Sequence, residues 1–242
     1  MTERSCDDRQ WLLDNRARIE EELTNACIAA GRKREEVTLM AVTKTVEPER
    51  INVLLDDGIT CIGENRVQEF LEKKEALHLS GVHCHLIGHL QTNKVKKIVG
   101  QVERIESVDS LRVGKAIADA SLALGMTTDV LVEINIGNES SKSGIEASAT
   151  EELVGKLAEF PGIRVRGLMA IPPICTTERE KRRFFSQMHK LFIDIRDKKV
   201  DNVSMDVLSM GMSDDYVPAV LEGSTQVRIG SALFGKRVYN KI

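Results

Sequence analysis

The sequence predicts an α/β fold, a single (β/α)8 TIM barrel, and three observations carry that reading. Strand-like and helix-like stretches alternate along all 242 residues, a length close to the usual barrel. The alternation runs through about eight βα units, the number that closes such a barrel. No composition break, low-complexity linker or internal repeat interrupts it, so one domain over 1–242 is expected. A doubly wound sheet is the alternative. Against it stand the strand count and the lack of a Gly-x-Gly-x-x-Gly turn after the first strand, where a dinucleotide-binding sheet carries one.

A polar segment of helical period comes first, over 8–30, and Gly31 stops it. The first strand, 37–43, reads Val-Thr-Leu-Met-Ala-Val-Thr, an apolar run of the kind that a parallel strand buried on both faces shows. Strands follow at 59–63, 82–87, 102–108, 129–135, 164–170, 205–209 and 226–229, each but the last trailed by enough chain for a crossover helix. After the eighth strand only a short tail remains, so the N-terminal helix is expected to cover the gap left by a stunted final helix. The segment 136–144, rich in Gly, Asn and Ser, reads as a mobile loop at the mouth, and the charged stretch 176–183 as the start of a solvent-facing helix.

Bulk properties exclude several classes of function. A net charge of −3 and a pI near 6.0 leave no basic footprint for nucleic acid. Cys6, Cys27, Cys61, Cys84 and Cys175 form an odd set without a Cys-x-x-Cys pair, which argues against both a disulfide framework and a thiolate zinc site. A reducing, cytoplasmic compartment is expected. Residues 1–10 mix both charges and have no apolar core, unlike a secretory signal, and no apolar stretch approaches a membrane span.

The chemistry begins at Lys44, which ends the apolar run of the first strand just before a turn. A lysine at a barrel mouth is partly desolvated, which favours the neutral amine that attacks an aldehyde. A solvated lysine capping a strand is the alternative. Strand seven runs into Leu-Ser-Met-Gly-Met-Ser and strand eight into Val-Arg-Ile-Gly-Ser, turns whose small residues and hydroxyls suit an anion such as phosphate. Plain turns with a helix cap would read the same. Arg228 shares strand parity with Gln226 and is expected to point into the barrel. A lysine, an anion cradle and an inward arginine together suit an aldehyde that carries a phosphate.

At these residues the chain resembles the pyridoxal phosphate homeostasis proteins, the YggS/PROSC family, which is similar in fold to the barrel domain of alanine racemase, the PLP fold type III. The resemblance covers essentially the whole chain. It rests on Ala-Val-Thr-Lys ending at Lys44, Gly-Glu-Asn-Arg-Val-Gln-Glu from Gly63, His-Leu-Ile-Gly-His-Leu-Gln-Thr-Asn-Lys from His85, Gly-Leu-Met-Ala-Ile-Pro from Gly167, and the two turns above. Cys84 and Leu86 depart from the family's bulkier aromatic residues beside His85. The resemblance implies that Lys44 holds pyridoxal 5′-phosphate (PLP) as a Schiff base. It further implies phosphate contacts from Ser209, Gly230 and Ser231, a contact from Arg228 to the pyridine nitrogen, and Asn65 as a lining residue.

A racemase needs a second acid/base group, a tyrosine from a C-terminal β-domain that this chain is expected to lack. Its tyrosines are Tyr216, after the strand-seven turn, and Tyr239, in the tail, and neither is placed for that role. The match to the racemase's ring-stacking histidine falls at Ile171, which can pack on a ring but cannot relay protons. Lys142 lies near a supporting racemase residue, but the local match does not carry the role over. His83, His85 and His89 suggest a metal-dependent hydrolase, yet strands five and six offer no histidine and strand eight no aspartate at its end, so the ligand set stays incomplete. Lys94, Lys96 and Lys97 read as a solvated helix face. Three functions therefore compete: a PLP-binding homeostasis protein that holds the cofactor and delivers it to apo-enzymes, an amino-acid racemase of the same fold, and a metal hydrolase. The first is favoured, as a monomer or weak dimer with no nucleic acid or membrane partner, no metal, and no catalytic residue of its own.

Overall fold

The computed structural model describes residues 3–137, 139 and 143–235. Its strands β1 (Thr38–Val42), β2 (Cys61–Glu64), β3 (His83–Leu86), β4 (Arg104–Val108), β5 (Thr128–Ile134), β6 (Ile163–Ala170), β7 (Val203–Ser209) and β8 (Gln226–Ile229) pair in sequence order into a closed barrel. All pairs are parallel, and β1 closes onto β8 with Met40 beside Arg228. The helices are α1 (Glu3–Ala29), α2 (Pro48–Asp56), α3 (Val67–Lys73), α4 (Val95–Ile98), α5 (Leu111–Ala123), α6 (Thr150–Ala158), α7 (Glu178–Arg196), α8 (Tyr216–Leu221) and α9 (Ser231–Phe234).

Alternation of side chains across each strand builds two layers. Leu39, Ala41, Ile62, Leu86, Val130, Val132, Leu208, Val227 and Ile229 face outward into the core shared with the helices. Met40, Val42, Cys61 and Ile87 form a separate cluster within the barrel. Gly63 is needed there, since a Cβ would fall 2.4 Å from the Met40 sulfur. Burial on both faces is why these strands read as continuous apolar runs. Cys84 and Leu86, the departures from the family pattern, lie in the outer core, where they bear on packing.

Capping residues start the longer helices. Ser110 accepts the Val113 N–H at α5, and Thr177 makes a reciprocal capping box with Glu180 at α7, the helix expected from the charged stretch 176–183. The final helix is indeed stunted, one turn long, and α1 packs over it together with α2 and α8. Asn15 donates to the Leu233 carbonyl at 3.1 Å, Arg50 of α2 to the Phe234 carbonyl at 3.1 Å, and Asp8 pairs with Arg50. These bonds satisfy the carbonyls that a one-turn helix leaves exposed at its end. In α4, Val95 and Ile98 are buried while Lys96 and Lys97 face solvent. No helix among the described residues is long and apolar enough to cross a membrane. Lys142 and Tyr239 lie outside the described residues, as does part of the loop 136–144.

Candidate functional site at the barrel mouth

The β1 ladder ends at Val42, and Lys44 sits in the turn that follows rather than on the strand. It lines a cavity of about 200 Å³ at the C-terminal mouth, together with Asn65, Ile171, Arg228, Gly230 and Ser231. Of the residues expected at the site, five therefore meet in one pocket. Ser209 does not. It is completely buried at the end of β7, and its hydroxyl belongs to a network inside the barrel rather than to the mouth. The serine of the strand-seven turn that does line the pocket is Ser213, four residues on, beside Asp214.

Local chemistry fixes each wall. Asn65 follows β2, and its backbone is pressed against Gly88, where a Cβ would come within 2.3 Å of the Asn65 carbonyl oxygen. That approach requires the glycine of His-Leu-Ile-Gly-His, whose own carbonyl accepts the Ser107 hydroxyl at 2.7 Å. The Asn65 Oδ1 is buried and has no hydrogen-bond partner among the described residues, an acceptor left over at the pocket wall. On the far side of β8, the Ser213 Oγ accepts N–H groups from Gly230 at 3.3 Å and Ala232 at 3.1 Å. An oxygen atom thus already lies where the turn after β8 aims its donors. The turn after β7 is itself tied to β8, with the Arg228 N–H on the Gly211 carbonyl at 3.0 Å.

Arg228 points inward, as parity predicts, and is 3% exposed. Its Nη1 donates to the Ser209 Oγ at 2.8 Å and its Nη2 to the Ala170 carbonyl at 2.9 Å. Beneath it, the Ser209 hydroxyl donates to Glu106 at 2.8 Å, Gln226 donates to both Glu106 oxygens at 2.8 Å, and His85 Nδ1 lies 2.8 Å from the same carboxylate. Burial alone would raise the Glu106 pKa; the hydrogen bonds of His85 and Gln226 and the charges of His85 and Arg228 override it and hold it at about 2. Glu133 on β5 has no such donors among the described residues. Burial pushes it up to about 7, with Asp109 adding to the effect and Arg228 opposing it. Burial also lowers Arg228, while Glu106, Glu133 and Asp215 counter by favouring its charge.

The three histidines part company. His83 pairs with Glu103 in solvent, His85 with Glu106 inside the barrel, and His89 with Asp109 at 3.5 Å. Among the described residues no group of three or more His, Cys, Asp or Glu side chains is placed to hold a metal. Tyr216 is turned away from the pocket, its hydroxyl donating to Glu22 of α1.

The chain, a closed parallel barrel with a lysine, an inward arginine and a turn of N–H donors at its mouth, matches the family model described as alanine racemase, N-terminal domain, over residues 18–238. A pyridoxal phosphate homeostasis protein of Aquifex aeolicus is 40% identical over 223 residues, covering 92% of this chain and 97% of that one. The chain belongs to this family, the pyridoxal phosphate homeostasis proteins built on the alanine racemase N-terminal fold. PipY of Synechococcus elongatus, solved with PLP bound, superposes with a TM-score of 0.77 at 29% identity, covering 90% of this chain and 100% of PipY. Alanine racemase of Clostridium difficile shares the fold, with a TM-score of 0.73 at 14% identity; 97% of this chain covers 58% of the racemase.

The sequence reading assigns no role to Glu106, Gln226 or Glu133, and it gives the phosphate contact of the strand-seven turn to Ser209 rather than to Ser213. Two of them left a signal. Glu106 and Glu133 are carboxylates inside apolar strands, a pattern that requires a buried polar layer to receive them. The two serines of Leu-Ser-Met-Gly-Met-Ser are equivalent in composition, and only the point where β7 ends separates Ser213 from Ser209.

Proposed function

We propose that the protein binds PLP at this pocket through a covalent bond to Lys44, and so serves the intracellular balance of that cofactor by holding it and delivering it to apo-enzymes. The observation that carries the reading is the meeting of Lys44, Arg228, Gly230 and Ser231 around one cavity. The pocket fits the cofactor chemically. The Gly230 and Ala232 N–H groups, now satisfied by the Ser213 hydroxyl, are donors of the kind a phosphate oxygen takes, and Asn65 offers a spare acceptor. Ile171 gives apolar surface for a ring. Bound there, the cofactor supplies an aldehyde that a neutral amine attacks, forming a C=N bond while the carbonyl oxygen leaves as water.

In this reading Lys44 provides the amine, and Gly230, Ser231 and Ser213 hold the phosphate in place of Ser209. Arg228, held by Ser209 and Ala170, faces the pyridine nitrogen from where it stands. The chain acts as one domain in the cytoplasm, consistent with the free cysteines Cys27, Cys61, Cys84 and Cys175. It carries the cofactor without turning over amino acids. One observation favours a second reading, an amino-acid racemase: Asp214 lines the same pocket and is a second proton-accepting group there. The test of the first reading is borohydride reduction of the PLP-loaded protein followed by peptide mapping. The label is expected on Lys44 and is expected to vanish in a folded Lys44→Ala variant; a label of native stoichiometry in that variant refutes the assignment.

A further inference from the structure

Beyond β1 the chain turns through Thr43, Lys44, Thr45 and Val46, closed by the Val46 N–H on the Thr43 carbonyl at 3.1 Å. Thr45, third in the turn, has φ +58. A type II turn takes Gly or Asn at that place, and a β-branched residue in the left-handed region is held there only when its surroundings over-determine it. The surroundings here are charged side chains from the end of β2 and from α3.

Lys73 donates to the Thr43 carbonyl at 2.8 Å, and the Glu69 carboxylate accepts the Thr45 N–H. Glu64 accepts the Thr43 hydroxyl. Lys73 in turn pairs with Glu64 and, at 3.2 Å, with Glu69, four residues earlier on the same face of α3. The cluster is largely out of water, Lys73 being 9% exposed and Glu64 1%. Burying such ions costs desolvation that their attraction does not reliably recover, so stability alone explains this cluster poorly. What it does achieve is geometric. Both neighbours of Lys44 in the chain are gripped through their backbone, and Lys44 between them lines the cavity.

We propose that Glu64, Glu69 and Lys73 are positioning residues for the Lys44 amine, a clamp from the end of β2 and from α3 that holds the turn in the conformation which presents Lys44 to its aldehyde. The proposal rests on the reading of Lys44 as the covalent attachment point. Position and charge make different predictions. Removing Glu69 takes an anion from the neighbourhood of Lys44 and removing Lys73 takes a cation, so an effect through charge would move the two variants in opposite directions. Loss of the clamp weakens attachment in both.

The experiment measures PLP attachment by absorbance titration and borohydride mapping, and in the cofactor-free protein measures amide hydrogen exchange at Thr45, for Glu69→Ala, Glu69→Gln and Lys73→Met. Glu69→Ala and Lys73→Met are each expected to weaken attachment about tenfold and to speed Thr45 exchange by a similar factor, the loss expected for a charge-assisted hydrogen bond. Glu69→Gln keeps an acceptor oxygen and is expected to stay within about threefold of the native protein. Attachment within about twofold of native in Glu69→Ala, or opposite changes in the two variants, overturns the proposal. Should Lys73→Met not fold, the Glu69→Ala and Glu69→Gln pair decides, equal attachment refuting the clamp. A borohydride label that maps away from Lys44 in the native protein refutes the parent reading instead, and Thr45 exchange still reports separately on whether the clamp holds the turn.

Discussion

Replacing Glu133 by Gln should make the protein more stable in alkali while leaving it nearly unchanged in mild acid. Glu133 is 6% exposed, its Oε2 has no hydrogen-bond partner among the described residues, and burial lifts its pKa from 4.5 to about 7. The folded protein therefore keeps a proton there that the unfolded chain releases above 4.5. A carboxyl raised in the fold contributes its full stability below the unfolded value and loses it as pH climbs through the folded one. A gap of about 2.5 pH units is worth about 3 kcal/mol, all of it forfeited by pH 9. Gln is neutral throughout and nearly the same shape, so the variant escapes that loss. Urea unfolding of both proteins at pH 5, 7 and 9 reads the effect, because other titrating groups largely cancel in the difference. A difference below about 1 kcal/mol is expected at pH 5, and an advantage of about 3 kcal/mol at pH 9, roughly 6–12 °C in Tm for a chain of this size. Parallel stability curves from pH 5 to 9 would show that Glu133 ionises freely in the fold and refute the reasoning.

The two serines of the strand-seven turn should separate by assay: Ser213→Ala is expected to weaken PLP affinity about tenfold with little change in stability, and Ser209→Ala to cost about 2 kcal/mol in urea unfolding by stripping Glu106 of a donor and Arg228 of an acceptor. Thr45→Gly is expected to stabilise the fold by about 0.5–1 kcal/mol, the relief of a left-handed threonine less the greater freedom of glycine when unfolded, measured in the same way. PLP-loaded protein incubated with L-alanine in deuterated solvent should show neither racemisation nor Cα exchange at an ordinary enzymatic rate of roughly 1–10³ s⁻¹, by chiral chromatography and NMR. A rate in that range that falls in Asp214→Asn would establish the racemase reading.

The barrel was legible because its signal is a period and a count. Runs such as Val-Thr-Leu-Met-Ala-Val before Lys44 are apolar on both faces, and the chain offers no other way to bury them than a closed or sandwiched parallel sheet. The outward or inward fate of Arg228 followed from parity alone. What the sequence does not encode locally is where a ladder stops. β7 ends at Ser209, so that hydroxyl still belongs to the barrel interior, and the anion turn begins only with the glycine beyond it. Lys44 shows the same limit, since the ladder of β1 stops two residues short and leaves it in a turn whose shape is set by Glu69 and Lys73, distant in sequence and without any motif of their own. The inner polar layer was missed for a related reason: Glu106 and Gln226 are 120 positions apart, and only closure of the barrel brings them together.

That inner layer gives Arg228 its character. A guanidinium with two of its donors committed to Ser209 and Ala170 cannot swing toward solvent, and Glu106 keeps its charge in place from below while burial works against it. Such a group offers the pocket a fixed, permanently charged donor that does not take up or release a proton near neutral pH. Facing a pyridine nitrogen, it would require that nitrogen to be unprotonated, because two donors cannot share one hydrogen bond. The ring would then be a poor sink for electrons, and proton loss from a bound amino acid would gain little from it. Glu106 therefore acts on the proposed function from below the mouth: with its own carboxyl held at about 2, it remains an anion across the neutral range, and so Arg228 keeps both its position and its partner. Exchanging Arg228 for a carboxylate would set a new anion among Glu106, Glu133 and Asp215 in a buried space and remove the guanidinium whose charge favours their ionised forms. With Arg228 at the pyridine nitrogen, as proposed, this arrangement of charges would favour holding the cofactor over activating it.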